Sequence, residues 1–470
     1  MKVVAIEQKR KSINRITLLN ICSTFLIQGI AFLTIPVFTR LLGAEQFGIY
    51  SVFHSWSTLF TCVLGLGVSN SVGNGFYYFK DRYIEFRNSI LVFGTIISIL
   101  LISSGLMALR FLNLVPGYSL GLTALLLTTS FGRFILNFVQ NACVYEKRAE
   151  LNFFVSIVTS VSSVILSLIF ISYIDKINRY LGKIAGECLV YFIVALGVGT
   201  KLFCERPIGI RIDYCRFGLK IGFPVIFHSF AHSILTQSDR VMMQNMGIDN
   251  VEIGIYSFYY TFVSVLLMIL SALNTSWCPF YYDDLDNKNR EILKKRSANY
   301  IELFTVIVCG FLLLSREVSY ILAGKEYRSG MDIMPILVIS VYFVFMYQSQ
   351  VNFEMFHKKT KIVAIGTSLA ALINILLNFI LIPKYRIYGA VVATGISYFM
   401  LFVLHFIIVK CLKGYDDKPE IKRFVLGMFI VLGISSLFYI LKDFWYLRWT
   451  IGVLLGVFEL RKLIERKSIF

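Results

Sequence analysis

One stretch of the chain combines the length of a membrane span with side chains that can titrate or bind an anion. It is residues 222–247, GFPVIFHSFAHSILTQSDRVMMQNMG, which carry His228, His232, Asp239 and Arg240. An α-helix advances about 100° per residue, so these four side chains fall within about 120° of one another. Imidazole titrates near neutral pH, and a guanidinium group can hold a phosphate. The spacing therefore predicts a helix with one ionisable face.

The cost of burying charge decides where that face points. Arg, Lys and Asp each cost about 3 kcal/mol at the centre of a membrane helix on insertion scales. The face must therefore look into a helix bundle or a wet cavity, as a packing patch or as part of a substrate or ion pathway. We expect Arg240 to bind substrate, and Asp239, His232 and His228 to couple transport to an ion. A static Asp239–Arg240 pair is the alternative.

Two other charges lie inside apolar runs. Arg133 is predicted in the inner half of the bilayer, with Asn137 continuing its polar face. A charge this deep favours a cavity role in substrate binding, with a structural pair as the alternative. Glu187 follows Lys183 at helical i+4 spacing, which predicts an ion pair between these two side chains.

The first apolar run carries three neutral polar residues in helical register, Asn20, Thr24 and Gln28. Their i, i+4, i+8 spacing predicts one inward-facing row, and we expect Asn20 and Gln28 to contact substrate. Interhelical hydrogen bonding explains the same spacing equally well.

The composition indicates an all-α polytopic membrane protein. Of the 470 residues, 57% are apolar and 16% are charged, and the apolar runs are continuous over about 20 residues, unlike the alternating strands of a membrane β-barrel. The nine cysteines are scattered without a CxxC pair, so we predict neither a disulfide framework nor a metal site. His228 and His232 have helical metal-ligand spacing, but no third ligand is identifiable.

Fourteen apolar runs predict about fourteen transmembrane helices, of which the last is the shortest. They lie at residues 16–38, 47–70, 88–109, 119–142, 151–174, 181–203, 220–246, 252–274, 299–321, 331–353, 361–383, 387–409, 421–441 and 445–460.

The basic residues are distributed unevenly between the two sides of this arrangement. With both termini cytoplasmic, 32 of the 46 Lys and Arg residues fall on the cytoplasmic side and 12 on the external side. This bias sets the orientation by the positive-inside rule. It also accounts for the net charge of +18 without nucleic acid, because the charges face anionic headgroups.

A repeat divides the chain. Gly48-Ile-Tyr-Ser recurs as Gly254-Ile-Tyr-Ser, and at a similar offset Gly182 corresponds to Gly389 and Tyr191 to Tyr398. Two pseudo-symmetric six-helix bundles of like orientation follow, because six is even. We therefore predict an N-terminal bundle at 1–215, a C-terminal bundle at 216–412, and two additional transmembrane helices with a tail at 413–470.

Three segments of the chain resemble a known family. QGIAFLTIPVFTRLLGAEQFGIYS, SDRVMMQNMGIDNVEIGIYS and LIPKYRIYGAVVATGISYF look like polysaccharide biosynthesis flippases, the O-antigen and capsule repeat-unit translocases of the multidrug/oligosaccharidyl-lipid/polysaccharide exporter superfamily. The resemblance implies a two-bundle transporter. Such a protein moves an undecaprenyl-diphosphate-linked oligosaccharide from the cytoplasmic to the outer leaflet by alternating access.

The residues agree with this function on chemical grounds. A diphosphate inside a membrane requires guanidinium groups, which bind phosphate bidentately and stay charged. By its position in the sequence, Arg133 belongs to the first half and Arg240 to the second, on opposite sides of a cleft. Asn and Gln side chains suit glycan hydroxyls.

Two rival functions need different residues. A multidrug cation antiporter of the same fold needs net acid in its cavity, whereas the buried charges here favour anions. A membrane glycan polymerase needs catalytic groups on a sizeable external loop, and the external loops here are short. We therefore predict a protein that is not an enzyme and has no cofactor, with proton or sodium coupling left open.

The expected partners are the lipid-linked oligosaccharide, membrane lipids and other polysaccharide assembly proteins, with no nucleic acid. The expected location is the bacterial cytoplasmic (inner) membrane.

The charge bias makes a testable prediction about topology. Reporter tags at Lys288 and at the C-terminus should report a cytoplasmic location, and tags at Lys325 or Lys384 an external one. Paired alkaline phosphatase and green fluorescent protein fusions measure this. An external signal from Lys288 would contradict both the orientation and the division into two halves.

Overall fold

The computed structural model describes the backbone of residues 2–111, 118–412 and 418–466, and the side chains of residues 29–106, 118–412 and 418–466. In these ranges the regular elements are all helices, which confirms the predicted all-α fold. The α-helices are α1 (Lys2–Val63), α2 (Val72–Phe79), α3 (Tyr83–Phe111), α4 (Leu120–Tyr145), α5 (Ala149–Tyr173), α6 (Arg179–Cys204), α7 (Ile212–Asn245), α8 (Asn250–Asp286), α9 (Arg290–Leu322), α10 (Met334–Phe356), α11 (Thr360–Cys411), α12 (Ile421–Ile440) and α13 (Trp445–Arg466). Short 3-10 segments lie at Leu64–Ser71, Lys80–Arg82, Lys176–Asn178 and Lys325–Ile333.

Two of the helices each contain two predicted runs joined by a kink. In α1 the kink is at Gly43, whose φ is 70°, a left-handed value that glycine adopts without a Cβ clash. In α11 it is at Arg386, whose φ is 53°. Each of these two long ranges therefore consists of two helices that meet at a sharp kink, in agreement with the two separate apolar runs predicted for each.

By length and composition, nine stretches of the described residues could cross a membrane. They contain twelve of the fourteen predicted runs, and the exceptions are α7 and α13. The ionisable face of α7 lowers its mean hydropathy, and α13 is rich in Arg and Lys near its end. Helix α7, which carries the predicted ionisable face, is thus one of the two predicted spans that are too polar to be assigned to the membrane by composition alone.

The chain forms two compact units. The first contains Met1–Leu42 and Gln46–Val241, and the second contains Gly43–Glu45 and Met242–Phe470. Helix α7 therefore belongs to the first unit as far as Val241. The predicted domain boundaries after residues 215 and 412 stay predictions.

The core of the first unit is built around α4. Phe134 and Phe138 of this helix are buried against Phe86 of α3 and Val68 of the first 3-10 segment. Helix α6 packs against both α4 and α5. This packing carries the polar side chains of α4 and α6 to a common place inside the unit.

The two glycines related by the repeat have the same packing role. A Cβ atom at Gly182 would lie 2.7 Å from the backbone nitrogen of Ile171, and one at Gly389 would lie 2.3 Å from the carbonyl oxygen of Leu381. Each glycine lets its helix approach the preceding helical segment backbone to backbone. The sequence repeat is therefore also a repeat of packing.

A buried arginine joins the helix ends at one side of the first unit. Arg87 of α3 is fully buried and donates to Glu146 at 2.7 Å, to the carbonyl oxygen of Leu202 at 2.9 Å and to Glu205 at 2.9 Å. Arg148 also donates to Glu205. Burial by itself would raise the pKa of Glu205, but the hydrogen bonds from Arg148 and Arg87 hold that pKa below its ordinary value. The network ties α3, α4 and α6 together.

Ion pairs attach α13 to α9 at both ends. The fully buried Arg448 donates to the carbonyl oxygen of Leu313 at 3.0 Å and forms a salt bridge with Glu317. Near the other end of α13, Lys462 forms a salt bridge with Glu302. The last predicted helix, the shortest of the fourteen, is thus a full helix held by charge as well as by apolar contact.

Candidate functional site

Arg133 lies at the centre of a polar cluster inside the first unit. It is carried by α4, and its side chain is 13% exposed. Its Nη2 donates to Glu187 Oε1 at 2.6 Å and its Nη1 donates to Thr58 Oγ1 at 3.2 Å. Its Cζ lies 5.1 Å from the centre of the Tyr191 ring, and its Nε has no hydrogen-bond partner. The guanidinium group, carried by α4, is therefore held by α1 and α6, and its Nε donor is unused.

Glu187 of α6 is bound from two sides. Besides the salt bridge to Arg133, its Oε2 accepts a hydrogen bond from the Tyr50 hydroxyl at 2.8 Å. The predicted ion pair between Lys183 and Glu187 is wrong, because the Lys183 ammonium lies over the Phe38 ring, 3.7 Å from its centre. The i, i+4 spacing places Lys183 on the right face, but its ammonium turns to an aromatic face while Arg133 reaches the carboxylate from α4.

A histidine lies among these charges. His54 follows Tyr50 by one helical turn on α1, and the centres of the two rings are 6.2 Å apart. The carbonyl oxygen of His54 accepts a hydrogen bond of 2.9 Å from Thr58, whose hydroxyl oxygen accepts from Arg133. His54 is therefore connected to the Arg133 guanidinium through one side chain.

Arg240 and Asp239 lie near the end of α7 and are both buried, with 5% and 0% of their surface exposed. Nη1 of Arg240 donates to the carbonyl oxygen of Thr236 at 3.0 Å. Both residues belong to the first compact unit, as does Arg133. The structure thus brings the two selected arginines into one unit, whereas the sequence placed them in different halves.

Two hydrogen bonds align α7 with the second part of α1. Ser55 donates to Gln237 at 2.9 Å, and Cys62 and Ser233 share a hydrogen bond of 3.1 Å. These contacts position the polar face of α7 beside the helix that carries Tyr50.

The two histidines of α7 are in different surroundings. His232 is exposed, whereas His228 is half-buried and its Nδ1 has no hydrogen-bond partner. The two imidazoles lie within electrostatic reach of each other. Their roles in ion coupling, with Asp239, stay predictions.

The other predicted binding residues lie apart from the cluster or outside the described side chains. Asn137 is exposed, one turn from Arg133 on α4. Asn20 and Gln28 lie outside the described side chains. Among the described residues, no group of three or more His, Cys, Asp or Glu is placed to hold a metal ion.

Sequence reasoning missed four members of the cluster. These are Tyr50, His54, Thr58 and Tyr191. Tyr50 belongs to the Gly48-Ile-Tyr-Ser repeat, and His54 and Thr58 follow it at i+4 and i+8. The sequence signal that could have identified them is the i, i+4, i+8 spacing of Tyr50, His54 and Thr58 within an apolar run.

The cluster has more positive than negative charge. Arg133, Lys183 and Arg240 provide three cations, and Glu187 and Asp239 provide two carboxylates, all of them in the first unit. In a low-dielectric interior, an excess positive charge with an unused guanidinium donor attracts an anion rather than a cation.

The second unit has a buried pair of its own, which the sequence analysis did not select. Both oxygens of Glu354 lie 2.9 Å from Nδ1 of His405, and both side chains are fully buried. A Cβ atom at Gly366 would lie 2.7 Å from Nε2 of His405. This pair joins α10 to α11.

Comparison with known proteins gives a consistent result. A family model described as "Polysaccharide biosynthesis protein" matches residues 14–282. The chain is 22% identical over 389 residues to the Lsg locus protein 1 of Haemophilus influenzae, which covers 79% of this chain and 93% of that protein.

Two solved structures show the same fold. The lipid II flippase MurJ in an inward closed conformation has a TM-score of 0.72 at 17% identity, covering 95% of this chain and 100% of that one. An inward-facing multidrug resistance MATE family transporter of the MOP superfamily has a TM-score of 0.59 at 14% identity, covering 87% and 96%. At these identities the likeness shows the fold alone, an all-α polytopic membrane architecture.

The salt bridge at the centre of the cluster makes a prediction about stability. Glu187→Gln should destabilise the protein by about 3 kcal/mol, because it leaves the Arg133 guanidinium buried without a counter-charge. Thermal unfolding in detergent measures the effect. The double variant Arg133→Met with Glu187→Gln should recover part of the lost midpoint temperature.

The control is Glu45→Gln, which changes an exposed carboxylate and should leave the midpoint unchanged. A Glu187→Gln variant as stable as the wild type would contradict the role given to this pair.

Proposed function

The chain belongs to the polysaccharide biosynthesis protein family, and on that premise we propose that it is a flippase for a lipid-linked oligosaccharide. The substrate is an undecaprenyl-diphosphate-linked O-antigen or capsule repeat unit. The protein moves it by alternating access from the cytoplasmic to the outer leaflet of the bacterial plasma membrane, with both termini in the cytoplasm.

One observation carries this proposal: the buried cluster of the first unit has three cations against two carboxylates. A diphosphate is a polyanion whose oxygens accept paired N–H donors, and guanidinium provides such donors in a fixed fork. The Nε of Arg133 has no partner, and its 3.2 Å hydrogen bond to Thr58 joins it only to a neutral hydroxyl group. Arg133 can therefore bind a phosphate oxygen while Glu187 still holds it in place.

The second guanidinium adds to the same site. Arg240 is buried in the same unit as Arg133, on the helix that Ser55 and Cys62 hold against α1. Lys183 contributes a third cation through its position over Phe38. Asn137, Asn20 and Gln28 are proposed to contact the glycan.

The main rival is a multidrug cation antiporter, and one structural relative is a multidrug resistance transporter. A cationic substrate requires an excess of acid where it binds, and the described cluster has the opposite charge. A glycan polymerase is less favoured, because it needs catalytic groups on a sizeable external loop and the predicted external loops are short. We therefore propose a transporter that is not an enzyme and works beside other polysaccharide assembly proteins.

Ion coupling is proposed to use α7. Asp239 is adjacent to Arg240, so a proton or sodium ion on this carboxylate would free the guanidinium for the diphosphate. His232 and His228 lie deeper along the same helix and could carry a proton, because imidazole titrates near neutral pH. The competing interpretation is a static pair of Asp239 and Arg240.

Substitution of the two arginines tests the anion site. Arg133→Ala and Arg240→Ala should each reduce surface polysaccharide about tenfold or more relative to the amount of folded protein in the membrane, because each removes charge-assisted hydrogen bonds to the substrate. Lysine at either position should restore only part of the export, because an ammonium group lacks the guanidinium fork. Surface glycan is measured after complementation of a deletion strain.

The matched control is Arg216→Ala, which removes an exposed arginine from the same unit and should leave export unchanged. Normal export by both of the cluster variants would show that these arginines are structural.

A reconstituted flipping assay tests the coupling. Asp239→Asn should keep binding of the lipid-linked oligosaccharide but lose the response of flipping to an imposed pH or sodium gradient, because the amide cannot titrate or carry the charge that a sodium ion needs. An Asn variant that responds fully to both gradients, with turnover intact, would remove Asp239 from the mechanism.

A further inference from the structure

A crevice in the second unit lies between the ends of α8, α9, α10 and α12. Four basic side chains line it, Arg290, Lys294, Lys418 and Arg423, and they are called the basic rim here. The crevice contains about 630 Å³ of empty space, part of which is open to solvent. It is separate from the cluster around Arg133, which belongs to the first unit.

Among the described residues that line the crevice, basic side chains outnumber acidic ones. The one acid among them, Glu420, lies 3.5 Å from Lys294 and 3.7 Å from Arg423. These pairs are long and their side chains are about half exposed, so they hold the two cations only weakly. Asp284, the buried acid near the end of α8, is bound by Arg296 with both oxygens at 2.9 Å and does not neutralise the rim.

The backbone adds to this field. Helix α9 begins at Arg290 and α12 begins at Ile421, so two helix N-termini meet at the crevice. The free N–H groups and the helix dipoles at such ends favour an anion. Lys418 is held beside them by a hydrogen bond from its Nζ to the carbonyl oxygen of Lys410 at 2.9 Å. Two of its three ammonium donors remain for a ligand.

Below the rim the crevice is aromatic. The rings of Trp277 and Tyr300 are stacked with their centres 4.9 Å apart, and Phe424 completes the lining. Further along α12, Leu426 and Phe429 are exposed by 62% and 66%. Because α12 is long and apolar enough to cross a membrane, these side chains mark the surface that faces lipid.

We propose that the crevice binds the headgroup of an anionic phospholipid. The phosphate lies within the basic rim, and an acyl chain follows the apolar surface of α12 past Leu426 and Phe429. The cations match the anionic headgroup of a phospholipid, and the apolar surface of α12 matches its acyl chain. A free phosphate would contact only the basic rim. This site does not depend on the proposed flippase function.

Thermal unfolding of the purified full-length protein in detergent tests the site. Phosphatidylglycerol should raise the unfolding midpoint of the wild type by about 4 °C more than phosphatidylcholine, because a ligand of the folded state stabilises it. Inorganic pyrophosphate at the same concentration should give no comparable shift. The double variant Lys294→Gln with Arg423→Gln should lose at least half of the phosphatidylglycerol shift.

A matched control is Lys358→Gln with Lys361→Gln. It removes the same charge from two exposed lysines, one between α10 and α11 and one in the first turn of α11, and should keep the shift. A second variant, Glu420→Gln, should increase the shift, because it removes the one acid of the rim. This variant should fold normally, because the Glu420 side chain makes no capping hydrogen bond.

Three results would overturn the proposal. The first is an unchanged shift in the rim variant or in Glu420→Gln. The second is an equal loss in the control, which would indicate surface charge in general. The third is an equal stabilisation by pyrophosphate that the rim variant removes, which would indicate a site for free phosphate in the crevice.

Discussion

A charge surrounded by hydrocarbon must find its partner within the protein, and the arrangement of these helices depends on that constraint. Arg133 meets Glu187, Arg448 meets Glu317, and His405 faces Glu354. Each pair joins helical segments that are far apart in the sequence. Each ion pair therefore also determines which two helical segments pack together. Apolar surfaces alone would allow several packing arrangements, and the polar contacts select one of them.

The helices could be predicted from the sequence because a membrane imposes a local requirement, about 20 apolar residues in a row. The side chains that pair with the buried charges could not be predicted in this way. Lys183 is one turn from Glu187, yet the carboxylate binds Arg133, 54 residues away. Tyr50 and Thr58 lie in a run that reads as apolar, and only the packing of α1 against α4 and α6 gives them a role. The assignment of Arg240 to the first unit likewise depends on contacts between helices, which no sequence period reveals.

The two repeats share a close helix contact at a glycine but differ in their buried charged residues. Gly182 and Gly389 make equivalent close approaches between helices. The offset that relates these two glycines also relates Glu187 to Thr394 and Arg133 to Ser340. The second unit therefore has neutral side chains where the first has its central salt bridge, and its own buried pair, Glu354 and His405, lies elsewhere. Positions related by the repeat thus carry different buried charges in the parts of the two units that the structure describes.

The attachment of α13 to α9 has a consequence for biosynthesis. Glu317 enters the membrane with α9, but its partner Arg448 lies 131 residues further along the chain. During translation this carboxylate must stay near water or near another group until the last helix emerges. The ribosome will have completed α10, α11 and α12 before the pair can form. Insertion of α13 is thus the step that completes the charge pairing of α9.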